Sequence, residues 1–171
     1  MITVRPERIE DIASVRLLNT QAFEQTAEAD IVDQLRQVCP EALSLVAEDA
    51  GCIVGHILFT PAVIECGNKV IHGMGLAPMG VIPDRQCEGI GTALVTHGLK
   101  VLQKRCCPFV VVLGYPDYYS RFGFEGASGH NITSQWEGVP DDAFMILIFD
   151  HVAMEGISGV ARYREEFDEA M

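Results

Sequence analysis

Basic residues are scarce in this chain: 12 Lys and Arg stand against 24 Asp and Glu, a formal net charge of -12 over 171 residues. Nucleic-acid binding is driven by clustered Lys and Arg, so this balance speaks against a nucleic-acid surface. An acidic excess fits a cationic guest such as an amine, although such surfaces usually serve solubility. No stretch of about 18 uncharged apolar residues is present, so no membrane span is expected. The opening Met1-Ile2-Thr3-Val4-Arg5-Pro6-Glu7 lacks a secretory pattern, and the expected location is the cytoplasm. Cys-x-x-Cys is missing too: Cys39, Cys52, Cys66, Cys87, Cys106 and Cys107 are irregularly spaced from the five histidines. Reduced thiols, no disulfide framework and no metal are therefore expected. Without repeats, low-complexity tracts or Pro/Ser-rich linkers, one domain over residues 1–171 is the economical reading. A chain that is 49% hydrophobic is long enough for one sizeable core.

Hydrophobic periodicity places the elements. Ile2 to Arg5 reads as a short strand, and Ile12, Val15, Leu18 and Ala22 recur at helical spacing behind acidic Glu7, Glu10 and Asp11. A second helix is predicted from a cap at Asp30 to about Pro40. Leu43 to Glu48 and Cys52 to Ile64 read as strands joined by a hairpin at Asp49-Ala50-Gly51, and a further turn at Gly67-Asn68 leads into Val70 to Ile82. Gly73, Gly75, Pro78 and Gly80 would weaken that last strand and point to a bulged or splayed one. Ile90, Leu94, Val101 and Leu102 then form a helical stripe that stops at Pro108. Phe109 to Leu113 is a continuous apolar run, as in a strand buried on both faces and reached by a helical crossover. A short helix near Pro116 to Arg121, a strand near Ala143 to Phe149 and a helix over Val160 to Ala170 complete the pattern, and Gly126 to Asp142 carries no assignable one.

The run from Gly80 to Val95 is the most informative, because a strand passes through a glycine-containing turn directly into an amphipathic helix. The first N-H groups of a helix have no internal partners, glycine lets a guest approach them, and the macrodipole adds positive charge. Such a turn suits a pyrophosphate. A dinucleotide fingerprint would place Gly or Ala at position 94, which is Leu, and a phosphate P-loop would need Gly-Lys-Ser/Thr, which is absent.

The spacing Gln86-x-x-Gly89-x-Gly91 followed by Thr-Ala-Leu resembles the acyl-CoA loop of the Gcn5-related N-acetyltransferases. The segments Val54 to Pro61, Leu76 to Val81 and Val112 to Phe124 resemble a bacterial branch of small predicted N-acetyltransferases in that family. The resemblance implies an α/β (α+β) acyl-CoA N-acyltransferase fold: a mixed, mostly antiparallel central sheet flanked by helices, with a splayed parallel strand pair at the CoA slot. It also implies an acetyl-CoA cosubstrate whose pantetheine arm pairs with Met79, Gly80 and Val81 as an added strand would. The pyrophosphate would lie on Gln86, Cys87, Glu88, Gly89, Ile90, Gly91 and Thr92, with Arg85 adding charge.

Direct transfer to an amine needs a proton for the departing thiolate, and the family supplies it from a Tyr four residues before a Gly-Phe pair, here Tyr119 before Gly123-Phe124. Tyr118 is the weaker candidate. Glu24 and His72 are candidate bases, each with a plainer reading as a solvated or hydrogen-bonded side chain. Cys87 lies in the turn without a recognisable base beside it. The pattern departs from the family's at Cys87-Glu88, where a carboxylate would repel a pyrophosphate unless turned outward. It departs again at Val112, where an Asn is usual. The expected activity is acetylation of a primary amine of a small molecule or peptide by a monomer or homodimer. The alternative is a non-catalytic acyl-CoA-binding module on the same fold, which would not need Tyr119.

Overall fold

A computed structural model describes residues 1–170. They form two compact units interleaved in sequence: residues 1–59, 77–100 and 166–170 in the first, residues 60–76 and 101–165 in the second. Strands β3 (Cys52–Cys66) and β4 (Lys69–Val81) each contribute residues to both.

In the first unit, β1 (Thr3–Pro6) pairs antiparallel with β2 (Leu43–Asp49), and β2 with β3 in the register Leu43↔Phe59 to Asp49↔Cys52. The hairpin lies at the expected place. Its corner residues Ala50 and Gly51 both have positive φ, 50° and 81°, the twist that suits a two-residue connection between antiparallel strands. Helix α1 (Ile12–Phe23) buries Val15 and Leu18 from the predicted stripe. Just before it, buried Asp11 accepts the Arg8 backbone N-H at 2.8 Å and the Arg5 guanidinium at 2.6 and 3.0 Å. Helix α2 spans Ala27–Val38, three residues ahead of the predicted cap at Asp30. Asp30 instead takes the Arg16 guanidinium of α1 at 2.8 Å, and Asp33 takes it at 2.5 Å, so an interhelical ion pair uses the side chain that local sequence offers as a cap.

Helix α3 (Ile90–Lys104) packs on the face of β2 and β3 that carries Leu45, Ala47, Gly55 and Phe59. Glycine is required at that contact. A Cβ at Gly55 would lie 2.8 Å from Ile90 Cγ2, and one at Gly98 only 2.3 Å from Phe59 Cε2. Gly98→Val is therefore expected to cost about 1–3 kcal/mol through overpacking of the Phe59 contact, read as a lower thermal midpoint.

The second unit is built around β5 (Phe109–Leu113), whose first four residues are buried. It pairs in parallel with β4 from Met74↔Val110 to Leu76↔Val112, and antiparallel with β8 (Phe144–Ile148). Strand β6 (Glu125–Gly126) adds to β8. Strand β9 (Gly159–Arg162) lies between β3, antiparallel, and β7 (Ile132–Ser134), parallel. The strands thus form the expected mixed, mostly antiparallel sheet. The helix expected over Val160 to Ala170 is absent. Strand β9 takes its beginning, because two neighbours claim its backbone groups, and Glu165–Ala170 forms 3-10 turns. At its start Gly159 has φ 139°, and a Cβ there would stand 1.9 Å from the Glu65 carbonyl oxygen, so the pairing with β3 needs glycine. The unpatterned stretch after Gly126 holds 3-10 turns at Ala127–His130, strand β7 and an irregular crossing to β8.

Candidate active site

The glycine turn lies wholly in the first unit. After β4 the chain makes a 3-10 turn at Pro83–Arg85 and reaches α3 through Cys87, φ 63°, and Gly89, φ 84°. The first helical bond runs from the Ala93 N-H to the Gly89 carbonyl at 3.0 Å. The N-H groups of Ile90, Gly91 and Thr92 therefore precede the ladder, where an anion finds both donors and the positive end of the dipole. Open space surrounds Gly89 on the side where a Cβ would project. Gln86 donates from Nε2 to the Val81 carbonyl at 3.1 Å and so ties the turn back to the strand.

Glu88, the residue out of place beside a phosphate, has a partner of its own. Arg85 donates from Nε to Glu88 at 2.6 Å and from the end of its guanidinium to Asp49 of the hairpin at 3.1 Å. These contacts raise the Arg85 pKa, Glu88 being the larger cause, while the N-terminal ammonium and, after it, Arg85 hold Asp49 below the usual carboxylate range. The loop's carboxylate is neutralised within the loop. Arg85 supplies that counter-charge. Cys87 is exposed.

Upstream of the turn, Gly80 lies against α1, where a Cβ would stand 3.1 Å from both Ala22 Cβ and Asn19 Oδ1. Beneath it runs a polar chain that sequence reasoning did not find. Fully buried His56 bonds Asn19 Nδ2 through Nδ1 at 3.1 Å and Ser44 Oγ through Nε2 at 2.9 Å; Ser44 donates on to Glu7, which pairs with Arg36 at 2.6 Å. If Ser44 gives its proton to Glu7 it must accept from His56 Nε2-H, so Nδ1 accepts from the Asn19 amide. Burial, with a smaller contribution from the Arg36 charge, pushes the His56 pKa down to about 3. The alternation of β3, which sends Gly55 to one face and His56 to the other, was the only signal in the sequence for this placement.

The neutral imidazole has a consequence for stability. Above its unfolded pKa of 6.5 His56 is neutral whether folded or not; between there and about 3 only the unfolded chain takes the proton. Stability is therefore lost as the pH falls through this window, by about 1.4 kcal/mol per pH unit. Urea midpoints at pH 7, 6 and 5 should fall more steeply for wild type than for His56→Gln.

The second unit carries Tyr119. Helix α4 (Pro116–Tyr119) opens on a proline whose fixed φ suits a first helical position, and Tyr119 donates its N-H to the Tyr115 carbonyl at 3.1 Å. Its ring fills the space beside Gly114, where a Cβ would lie 2.3 Å from Cε2, and meets Phe124 edge-on at 5.6 Å. Only 7% of Tyr119 is exposed, and burial, with Tyr118 contributing less, pushes the phenol pKa above its ordinary value. Tyr118 packs edge-on against Tyr119 at 5.0 Å under the Arg121 guanidinium. Buried Tyr163, on the segment expected to be helical, directs its hydroxyl to the carbonyls of Leu76 at 3.2 Å, in the last β4–β5 pair, and of Val111 at 3.0 Å, one pair earlier. Its ring occupies the space that Gly75 leaves open.

Of the candidate bases, Glu24 ends α1 at φ 57° in the first unit, beside an open recess with Thr20, Gln21 and Ile82 to Asp84, whereas His72 is an exposed β4 residue of the second. Among the described residues no group of three or more His, Cys, Asp or Glu could hold a metal, and no helix is long and apolar enough to cross a membrane.

The acetyltransferase (GNAT) domain family model matches residues 3–127. The uncharacterized N-acetyltransferase YhbS of Escherichia coli K12 is 33% identical over 166 residues, 96% of this chain and 98% of its own. The uncharacterized N-acetyltransferase YjhQ of the same strain is 41% identical over 123 residues, 70% of this chain and 67% of its own. The crystal structure of E. coli YhbS in complex with CoA aligns with TM-score 0.88 over 98% of this chain and 92% of that one, at 32% identity. A GNAT family acetyltransferase from Brucella melitensis in complex with acetyl-CoA aligns with TM-score 0.79 over 98% and 99%, at 34% identity.

Proposed function

The chain belongs to the GNAT acetyltransferase family, and on that premise we propose that this acetyl-CoA-dependent N-acetyltransferase acetylates a primary amine of a small molecule or peptide by direct attack, as one domain over residues 1–171. The observation that carries the reading is Tyr119: a buried phenol, protonated at neutral pH, at the family's proton-donor position. A module that only bound acyl-CoA could use the ring for packing but would not need the phenolic proton. The relatives solved with CoA and acetyl-CoA support the cosubstrate, and the orphan N-H groups after Gly89, with Glu88 neutralised by Arg85, fit its pyrophosphate. Met79, Gly80 and Val81 are assigned to the pantetheine arm, and Gln86 to Thr92 to the phosphates.

In the transfer, the lone pair of an unprotonated amine forms the new N-C bond at the thioester carbonyl carbon. The C-S bond breaks, the sulfur keeps its electron pair, and Tyr119 gives it the phenolic proton. The amine's own proton leaves to water, and a solvent proton restores the phenol. A phenol is protonated at neutral pH and burial makes it a weaker acid still, so Tyr119 keeps its proton until charge develops on a thiolate formed beside it.

Free-thiol detection with acetyl-CoA and a panel of polyamines, amino acids, aminoglycosides and basic peptides tests the reading. Amine-dependent thiol release with a mass gain for one acetyl group on the amine is the expected result. Tight acetyl-CoA binding with no release across the panel would favour the binding-module alternative.

A further inference from the structure

The segment that crosses from the 3-10 turns after Gly126 to β8 borders a half-open cavity of about 180 Å³, lined by Ser128, Ile132 and Phe144 with Thr133, Ser134, Trp136, Val139, Pro140 and Asp141. That is slightly more than a cavity of about 150 Å³ that takes benzene, so it suits a group of some six or seven non-hydrogen atoms rather than a whole cofactor. Its chemistry is uneven. Ile132 and Phe144 are buried and give an apolar floor, whereas exposed Asp141 brings a carboxylate, one of whose oxygens already accepts the Ser128 hydroxyl at 3.0 Å. Trp136 also lines the cavity, with its indole held against the Tyr163 ring at 5.3 Å.

The surrounding sequence favours one sign of charge. Between Arg121 and Arg162 the chain has no Lys or Arg, yet it carries Glu125, Glu137, Asp141, Asp142, Asp150 and Glu155. Among the described residues no basic side chain lies within ion-pair distance of Asp141. The indole, a carboxylate without a basic partner and the apolar floor together suit an ammonium group on a short hydrocarbon stem: the carboxylate takes the charge, and the indole and the floor take the methylenes. An anion or a neutral alcohol would gain only the last of these.

We propose that this cavity binds an ammonium-bearing part of the acceptor. The inference rests on the acetyl-transfer reading for naming the guest an acceptor. An ammonium held beside Asp141 keeps its proton, so it anchors the molecule and is not the nitrogen acetylated; the acceptor class is one with a cationic group in addition to its reacting amine.

Trp136 is the chain's single tryptophan, so tryptophan emission comes from a residue that lines this cavity. The experiment titrates the whole protein, without acetyl-CoA, with butylammonium chloride, and in parallel with n-butanol and sodium butyrate at matched ionic strength. Butylammonium is expected to change the emission saturably in the millimolar range, roughly what so small a guest can reach. Butanol and butyrate are expected to act at least tenfold more weakly. Asp141→Asn should weaken the butylammonium response about tenfold or more, while Asp141→Glu, which restores the charge, recovers part of it; circular dichroism confirms that both variants are folded. Equal responses to butanol and butylammonium, no saturable change, or an unchanged response in Asp141→Asn each overturn the proposal. If butylammonium fills the cavity but no amine releases thiol, the site stands and the transferase reading fails. Thiol release by a diamine that never perturbs Trp136 is the reverse result and removes the cavity from acceptor binding.

Discussion

Tyr119→Phe is expected to lower the rate of acetyl transfer by about 10²- to 10⁴-fold, the usual loss when a general acid is removed, while leaving acetyl-CoA affinity nearly unchanged. The substitution keeps the ring that fills the space beside Gly114 and meets Phe124, so the packing around it is preserved. Only the phenolic proton is deleted. Single-turnover measurements with an accepted amine are the right readout, because slow product release would hide a damaged chemical step in steady-state rates. Tyr118→Phe is the control and should have the smaller effect, since Tyr118 is placed by packing against Tyr119 and Arg121. A Tyr119→Phe enzyme as fast as wild type in a single turnover would assign thiolate protonation to water or another group.

The second large effect concerns binding. Acetyl-CoA at about 100 times its dissociation constant should stabilise the folded wild type by about 2.7 kcal/mol, because the ligand binds the folded state alone. Gly89→Val should abolish that gain. At φ 84° a β-branched residue is strained, and the turn can relieve the strain only by moving the N-H groups of Ile90, Gly91 and Thr92 away from where an anion meets them. No atom lies within 4 Å of the new Cβ, so the protein should still fold. Gly51→Val separates strain from function: Gly51 has nearly the same φ, 81°, and equally open surroundings, but lies in the β2–β3 hairpin. It should lose stability comparably and keep the acetyl-CoA shift. An undiminished shift in folded Gly89→Val would remove the turn from the binding site.

Much of this protein was legible before any coordinates. Period-2 and period-3.6 patterns placed α1, α3, the β2–β3 hairpin, β5 and β8 to within a few residues, because each buries a face set by its own spacing. The order of elements and the Gly89-x-Gly91 turn carried the resemblance to the family, because a strand-turn-helix motif is local in sequence.

What the sequence could not supply was which side chains meet across the fold. Asp30 has the chemistry of a cap, but Arg16 on a neighbouring helix claims its carboxylate. Val160 to Ala170 has an acceptable helical pattern, but β3 and β7 satisfy the backbone of its first residues and the competition is decided by partners far away in sequence. Glu88 would repel a pyrophosphate on local sequence alone, but its 2.6 Å bond to Arg85 supplies the counter-charge. The alternation of β3 gives the face of His56 but not its partners in the polar chain from Asn19 to Arg36. Local sequence determined where the backbone turns and which faces are apolar, since those depend on residues a few positions apart. Tertiary structure alone decided the partners of the charged and polar side chains, because a hydrogen bond or ion pair is set by distances of about 3 Å between atoms that lie tens of residues apart in the chain.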